Sequence, residues 1–124
     1  MDNAKINVAI LGASPKPERY ANMAQKLLLE NGYSVFPINP AHEKIDDIYC
    51  VKNYSDLKQE IHTLTLYMNG EKVLEVLPQI IENKPKRVIM NPGTESKMLK
   101  EELEKCGVEV VEGCTLVMIK TGLF

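Results

Sequence analysis

Three apolar runs in this chain each stop at a turn signal and hand over to a helical stripe, and that alternation constrains the fold more than any other feature. Ile6-Asn7-Val8-Ala9-Ile10-Leu11 runs into Gly12. His62-Thr63-Leu64-Thr65-Leu66-Tyr67-Met68 ends at Asn69-Gly70, and Lys86-Arg87-Val88-Ile89-Met90 closes on Asn91-Pro92-Gly93-Thr94. After the first run, Met23, Leu27 and Leu28 share a stripe that Asn31-Gly32 stops, predicting a helix from about Glu18 to Glu30. After the second, Val73, Leu74, Val76, Leu77, Ile80 and Ile81 mark one apolar helical face. After the third, a helix of mixed charge is expected from about Glu95 to Cys106, ending at Gly107.

Two further strands complete the alternation. Tyr33-Ser34-Val35-Phe36-Pro37-Ile38 ends at Asn39-Pro40 and closes a strand-helix-strand unit long enough for a right-handed parallel crossover. Val108-Glu109-Val110-Val111 is the other, and Cys114 to Ile119 is apolar enough for an edge strand or a terminal helical turn. Between them, Ala41 to Lys52 is weakly patterned. Asp46-Asp47 before Ile48-Tyr49-Cys50 predicts a loop with a short strand or turn, and Ser55 is placed to cap a small helix. The expected fold is a single α/β domain over residues 1–124, Rossmann-like and doubly wound, with a mainly parallel sheet and helices on both faces. Such sheets bind ligands beyond the carboxyl ends of strands where the winding reverses. Three loops should therefore converge on one crevice: Gly12 to Tyr20, Asn39 to His42, and Tyr67 to Gly70.

The first of these loops has the chemistry of a phosphate seat. Gly12 lets the backbone turn tightly and approach a ligand, and the free N–H groups at the start of the following helix favour anionic oxygens. A dinucleotide site of the G-x-G-x-x-G kind is incomplete here, because the second and third glycine positions hold Ser14 and Pro17. Ser14 offers a hydroxyl and a backbone donor, whereas Pro15 and Pro17 remove two donors and stiffen the loop. Arg19 can fork onto a phosphate. The competing reading makes Gly12 a plain turn, Ser14 a helix cap and Arg19 a solvated charge.

Composition bounds the partners. With 15 Lys and Arg against 17 Asp and Glu, the net charge of -2 gives no global attraction to nucleic acid or an anionic membrane, so any basic site must be local. No apolar run approaches the roughly 18 residues of a membrane span, and Met1 to Lys5 leads into a strand without a signal peptide, which makes a cytoplasmic location the expectation. Cys50, Cys106 and Cys114 are odd in number and lack C-x-x-C spacing, so neither a disulfide framework nor a zinc site is suggested.

The run Val8 to Ser14, followed by Pro17-Glu18-Arg19-Tyr20 and then Val35-Phe36-Pro37-Ile38-Asn39-Pro40, resembles the small stand-alone CoA-binding Rossmann-fold proteins. Their fold is similar to the CoA-binding domain of the succinyl-CoA synthetase alpha subunit. The resemblance extends through Tyr54-Ser55-Asp56-Leu57 and Gly113-Cys114. It implies CoA or acyl-CoA as ligand, with the pyrophosphate on the loop of Gly12, Ala13, Ser14, Arg19 and Tyr20. The adenosine end would lie near Asn39 and Pro40, and the pantetheine arm toward Tyr67, Met68 and Asn69. For Asn39, a side chain stabilising its own turn is an equally good reading. Many relatives carry a tryptophan and a glutamine on the fourth main strand; here that region is Val88 to Gly93, and the chain has no tryptophan. The synthetase reaction does not transfer, because neither His42 nor His62 lies in a glycine-rich histidine loop.

A catalytic reading needs a nucleophile with a base, or two differently tuned carboxylates, close in the fold. Cys114 with His42 or His62 can be imagined as thiol and base, but distance in sequence does not place them together. Glu95 could meet a ligand or favour a helix N-terminus. No constellation emerges, and the expectation is a CoA or acyl-CoA binding protein with no catalytic or metal residue. The alternatives are an NAD(P)-dependent reductase-like enzyme, and a regulatory or interaction protein with a vestigial nucleotide site. The apolar tail from Leu116 to Phe124 would serve either a homodimer or the monomer's own core. In the proposed seat, Gly12→Val is expected to block the loop while sparing the core.

Overall fold

Five parallel strands form the main sheet of the computed structural model, which describes residues 5–124; residues 1–4, in the expected lead-in, lie outside the described residues. The chain runs through β1 (Asn7–Leu11), α1 (Tyr20–Glu30), β2 (Ser34–Ile38), and a hairpin of β3 (Lys44–Ile45) and β4 (Ile48–Tyr49). It continues with β5 (Thr63–Leu66), α2 (Gly70–Val73), α3 (Leu77–Glu82), β6 (Arg87–Met90), α4 (Lys97–Lys105), β7 (Glu109–Glu112) and α5 (Thr115–Lys120). The sheet order is β2-β1-β5-β6-β7, with Val8 opposite both Val35 and Thr63. The winding thus reverses between β1 and β5, which fixes the place for a ligand at their carboxyl ends.

Alternate residues of each strand feed two separate cores, as the period of two requires. Val8 and Ile10 join Ala21, Leu28 and Val35 beneath α1, where Ile119 and Phe124 also pack. Ala9 and Leu11 join Leu64, Leu66, Val88 and Met90 on the other face, against Val73, Ile80, Leu99 and Leu103 of α2, α3 and α4. The tail closes part of the first core. The Phe124 ring meets Tyr33 edge-on at 5.1 Å, and the Arg87 guanidinium sits 4.6 Å from its centroid while donating to the Phe124 carbonyl at 2.8 Å. Val117 and Leu123 stay exposed.

Several element boundaries differ from the sequence expectation, each for a local reason. The apolar face from Val73 to Ile81 is not one helix but α2, a 3-10 turn at Leu74–Val76, and α3. Pro78 stands at the second position of α3, where its missing N–H is harmless; inside a continuous helix it would delete the bond to Leu74 and clash with it. α4 starts at Lys97, two residues later than expected, because the Ser96 hydroxyl accepts from the Leu99 N–H at 3.2 Å and caps it. Asn53, not Ser55, caps the 3-10 turn Tyr54–Asp56, in a reciprocal box with Asp56. Of the two readings for Cys114 to Ile119, the helical one holds, as α5 from Thr115 to Lys120. Asp46 and Asp47 both take positive φ, the two-residue turn that lets Ile45 pair with Ile48 across the β3–β4 hairpin.

Candidate ligand-binding cleft

The loops that leave β1, β2, β5 and β6 open onto a cleft of about 600 Å³ at the reversal point of the sheet. Gly12, Ala13, Ser14, Arg19 and Tyr20 line it from the first loop, Asn39 and His42 from the second, and Tyr67, Met68 and Asn69 from the third. The three loops expected to converge do so. Pro40 lies apart, in an adjoining hollow of about 390 Å³ that shares Gly12, Asn39 and Met68 with the cleft. Within the expected loops Lys16 and His42 also line the cleft, and sequence reading missed the fourth loop, Pro92 to Thr94. The signal for that loop was present: it too follows the carboxyl end of a parallel strand, next to β5.

Gly12 is required by two constraints at once. Its φ is +90, and a Cβ there would come within 3.0 Å of the Tyr67 carbonyl carbon and oxygen and 2.8 Å of Met68 Cγ. The Tyr67 N–H donates to the Leu11 carbonyl at 2.8 Å, so the first and third loops are pressed together beside the sheet. A larger residue would therefore push on backbone that continues β1 and β5. This corrects the expectation that Gly12→Val spares the core.

The first loop is partly self-satisfied. The Gly12 and Ala13 N–H groups both donate to the Ile38 carbonyl, at 3.3 and 3.2 Å. The Ser14 hydroxyl accepts from the Lys16 N–H at 3.1 Å, so it closes a turn rather than capping α1. α1 begins at extended Arg19 with no side-chain cap, and the Asn22 and Met23 N–H groups turn back to the Arg19 carbonyl. The Asn22 amide, fully buried, ties the loop down by donating to the Ser14 carbonyl at 2.9 Å and to Asp46 at 2.8 Å. Asn39 is structural: its amide donates to the Ala13 carbonyl at 2.7 Å, and its side-chain oxygen accepts from the Ala41 N–H at 2.7 Å. The reading in which Asn39 braces its own turn is thus the one the geometry shows.

Charge sorts the cleft. Lys16, Arg19 and His42 line it, and no Asp or Glu is among its lining residues. Glu95, next to the lining residue Thr94, turns back to accept from the Gly93 N–H at 2.7 Å and closes its own loop.

Beyond Tyr67 the cleft adjoins a chamber of about 370 Å³ against α5, and Tyr20, Tyr67 and Pro92 line both. Behind it lies a buried hydroxyl and amide network. The Thr65 and Thr115 hydroxyls meet at 2.7 Å, and Asn91 donates to Thr65 Oγ1 at 2.6 Å and to the Leu66 carbonyl at 2.8 Å. Burial pushes the Tyr67 hydroxyl up to about 12, against hydrogen bonds from Thr115 and Thr65 that pull the other way. It stays protonated throughout the neutral range.

The three cysteines are free thiols. Cys50 contacts the Asn39 carbonyl at 3.6 Å, and burial pushes its thiol above the ordinary range. Cys106 ends α4. Cys114 lines the chamber. His62 bonds Thr63 at 2.8 Å at the opposite, amino-terminal end of β5; burial and the nearby Arg87 and Lys86 hold its pKa below the ordinary value. His62 therefore stands at the wrong end of the sheet to act on Cys114. Among the described residues, no cluster of three His, Cys, Asp or Glu could hold a metal, and no helix is long and apolar enough to cross a membrane.

Known proteins share this framework. A crystal structure of an uncharacterized protein superposes at a TM-score of 0.91 with 38% identity, covering 98% of this chain and 100% of the other. A hypothetical protein from Pyrococcus horikoshii OT3 matches at 0.86 with 30% identity, over 94% of this chain and 82% of the other. The uncharacterized protein YneT of Bacillus subtilis (strain 168) is 30% identical over 78 residues, 60% of this chain, and the match spans 56% of YneT's own length. The family model of the CoA binding domain matches residues 7–120, nearly the whole described fold, and the chain belongs to that family.

Proposed function

We propose that this protein binds coenzyme A or an acyl-CoA and holds it without transforming it. The observation that carries the reading is electrostatic: a chain of net charge -2 sets Lys16 and Arg19 on its cleft and keeps every carboxylate out of the lining. Such a surface suits a ligand with several phosphates. The compartments suit the rest of the molecule. The pyrophosphate rests on the loop from Gly12 to Arg19, beside the uncapped start of α1. The adenosine enters the hollow next to Asn39 and Pro40, walled by Leu11, Ile38 and Val76, and is held there by shape because the Asn39 amide is already engaged. The pantetheine arm passes Tyr67, Met68 and Asn69.

A binding role fits the titratable groups of the cleft. Its lining offers the cations Lys16 and Arg19 and the protonated Tyr67 and no carboxylate, which leaves His42 as the one side chain there of general-base type. Asn39 follows β2, where a dinucleotide site of the common kind would place an acid for the ribose. Calorimetric titration with CoA, NAD, NADP and ATP tests the reading. The expected result is saturable binding of CoA with the nicotinamide dinucleotides inert, together with a raised melting temperature, since a ligand at 100 times its Kd adds about 2.7 kcal/mol to stability. Preference for NAD or NADP would replace this reading with a reductase, and an inert protein would remove it.

A further inference from the structure

We infer that the chamber against α5 receives the acyl group of a thioester, and that this group is a short, uncharged chain. The inference rests on the CoA reading above. With the phosphates on the first loop and the adenosine beside Asn39, the free end of the ligand leaves the cleft past Tyr67, and the chamber is the compartment that Tyr20, Tyr67 and Pro92 share with the cleft. Its further walls are Cys114, Leu116 and Val117. At about 370 Å³ it exceeds what a bare thiol fills, and it lies within the range of small-ligand sites.

The buried polar groups behind the chamber are already engaged, which bears on the chemistry of its occupant. Asn91 uses both faces of its amide, donating to Thr65 and Leu66 and accepting from the Thr115 N–H. Tyr67 is tied to Thr115 and Thr65 and stays protonated. The remaining charge, Lys120, is exposed in the last turn of α5 and sits in water. A terminal carboxylate would find no buried partner here, whereas methylenes would find apolar walls.

The test is a calorimetric series of CoA, acetyl-CoA, butanoyl-CoA, hexanoyl-CoA and succinyl-CoA. Each methylene that leaves water tightens binding by up to about fourfold, so hexanoyl-CoA is expected to bind at least about tenfold tighter than acetyl-CoA, with succinyl-CoA weaker than butanoyl-CoA. Val117 is 56% exposed, so Val117→Trp can fill the chamber without disturbing the core, and Val117→Gln can make its wall polar. Both variants are expected to keep the parent's melting temperature and its Kd for CoA within about twofold while losing the hexanoyl gain. A flat series with CoA binding intact overturns this inference alone. Tighter binding of succinyl-CoA overturns the assignment of an uncharged chain, and a protein that binds no CoA overturns the underlying reading as well.

Discussion

The Asn91 side chain, at the carboxyl end of β6, accepts a hydrogen bond from the Thr115 backbone N–H at 2.9 Å and so caps α5 from a different element. The residue before α5, Cys114, makes no side-chain cap of its own. The same amide reaches Thr65 and the Leu66 carbonyl, so one buried group holds β5, β6 and α5 in register and fixes the wall between the cleft and the chamber. Thr94 adds a further constraint by donating to the Asn91 carbonyl through both its N–H and its hydroxyl.

Asn91→Ala is expected to destabilise the fold by about 3 kcal/mol, because it strands the Thr115 N–H and the Leu66 carbonyl in a buried setting where unmet hydrogen bonds each cost roughly 1–3 kcal/mol. Urea unfolding of the two proteins measures it. Asn91→Asp should cost more, since it removes both donors and buries a charge. A loss under about 1 kcal/mol for Asn91→Ala would mean that water replaces the amide.

Gly12 and Gly93 offer a matched comparison. Both have φ near +90, but a Cβ on Gly93 meets nothing within 4 Å, whereas one on Gly12 meets the Tyr67 backbone at 3.0 Å. Gly93→Ala should therefore lose only the conformational term of roughly 1–2 kcal/mol, and Gly12→Ala should lose that plus the cost of separating two loops. Denaturation midpoints of the pair give the difference directly. Equal losses would show that the first and third loops yield freely.

The strands were legible because they are buried on both faces, so Val8 to Leu11 and Val88 to Met90 read as unbroken apolar runs. The break ahead of Pro78 was signalled by that proline but masked by the apolar pattern, since Val73, Leu77 and Ile81 keep helical spacing across it. Ser96 and Asn53 were hidden for another reason: several capping residue types stand close together, and only the backbone angles choose among them. In the cleft, Gly12, Ser14 and the segment from Tyr67 to Asn69 followed from strand ends. Lys16 and His42 lie in loops that the strand ends also placed there, but nothing in the sequence marks which side chains of a loop face the cleft.

Lys16 and Arg19 are exposed on the first loop and support no core contact, so their removal should affect binding and leave stability alone. Arg19→Ala and Lys16→Ala are each expected to weaken CoA binding by about fivefold to tenfold, the equivalent of roughly 1–1.4 kcal/mol for an exposed charged contact. The difference from the parent protein should shrink in high salt, since screening weakens exposed pairs. Calorimetry at low and high ionic strength, with melting temperatures alongside, separates this from misfolding. Variants that bind CoA as tightly as the parent would place the phosphates elsewhere.

Tyr67 gives the fold an alkaline limit. Burial raises its pKa from the ordinary 10.0 to about 12, so the folded protein holds the phenol proton more tightly than the unfolded chain. The unfolded chain therefore ionises first. The stability linked to Tyr67 is complete below pH 10 and is lost as pH climbs from about 10 to about 12. Tyr54, raised by burial in the same direction, adds to the loss. Near-ultraviolet absorbance should show the Tyr67 and Tyr54 phenols ionising above the ordinary tyrosine range. Urea midpoints should fall across that window in the parent protein, and fall less in Tyr67→Phe, which has no proton to lose there. Parallel slopes for the two proteins would assign the alkaline loss to Tyr54 alone and detach Tyr67 from the buried network at the cleft wall.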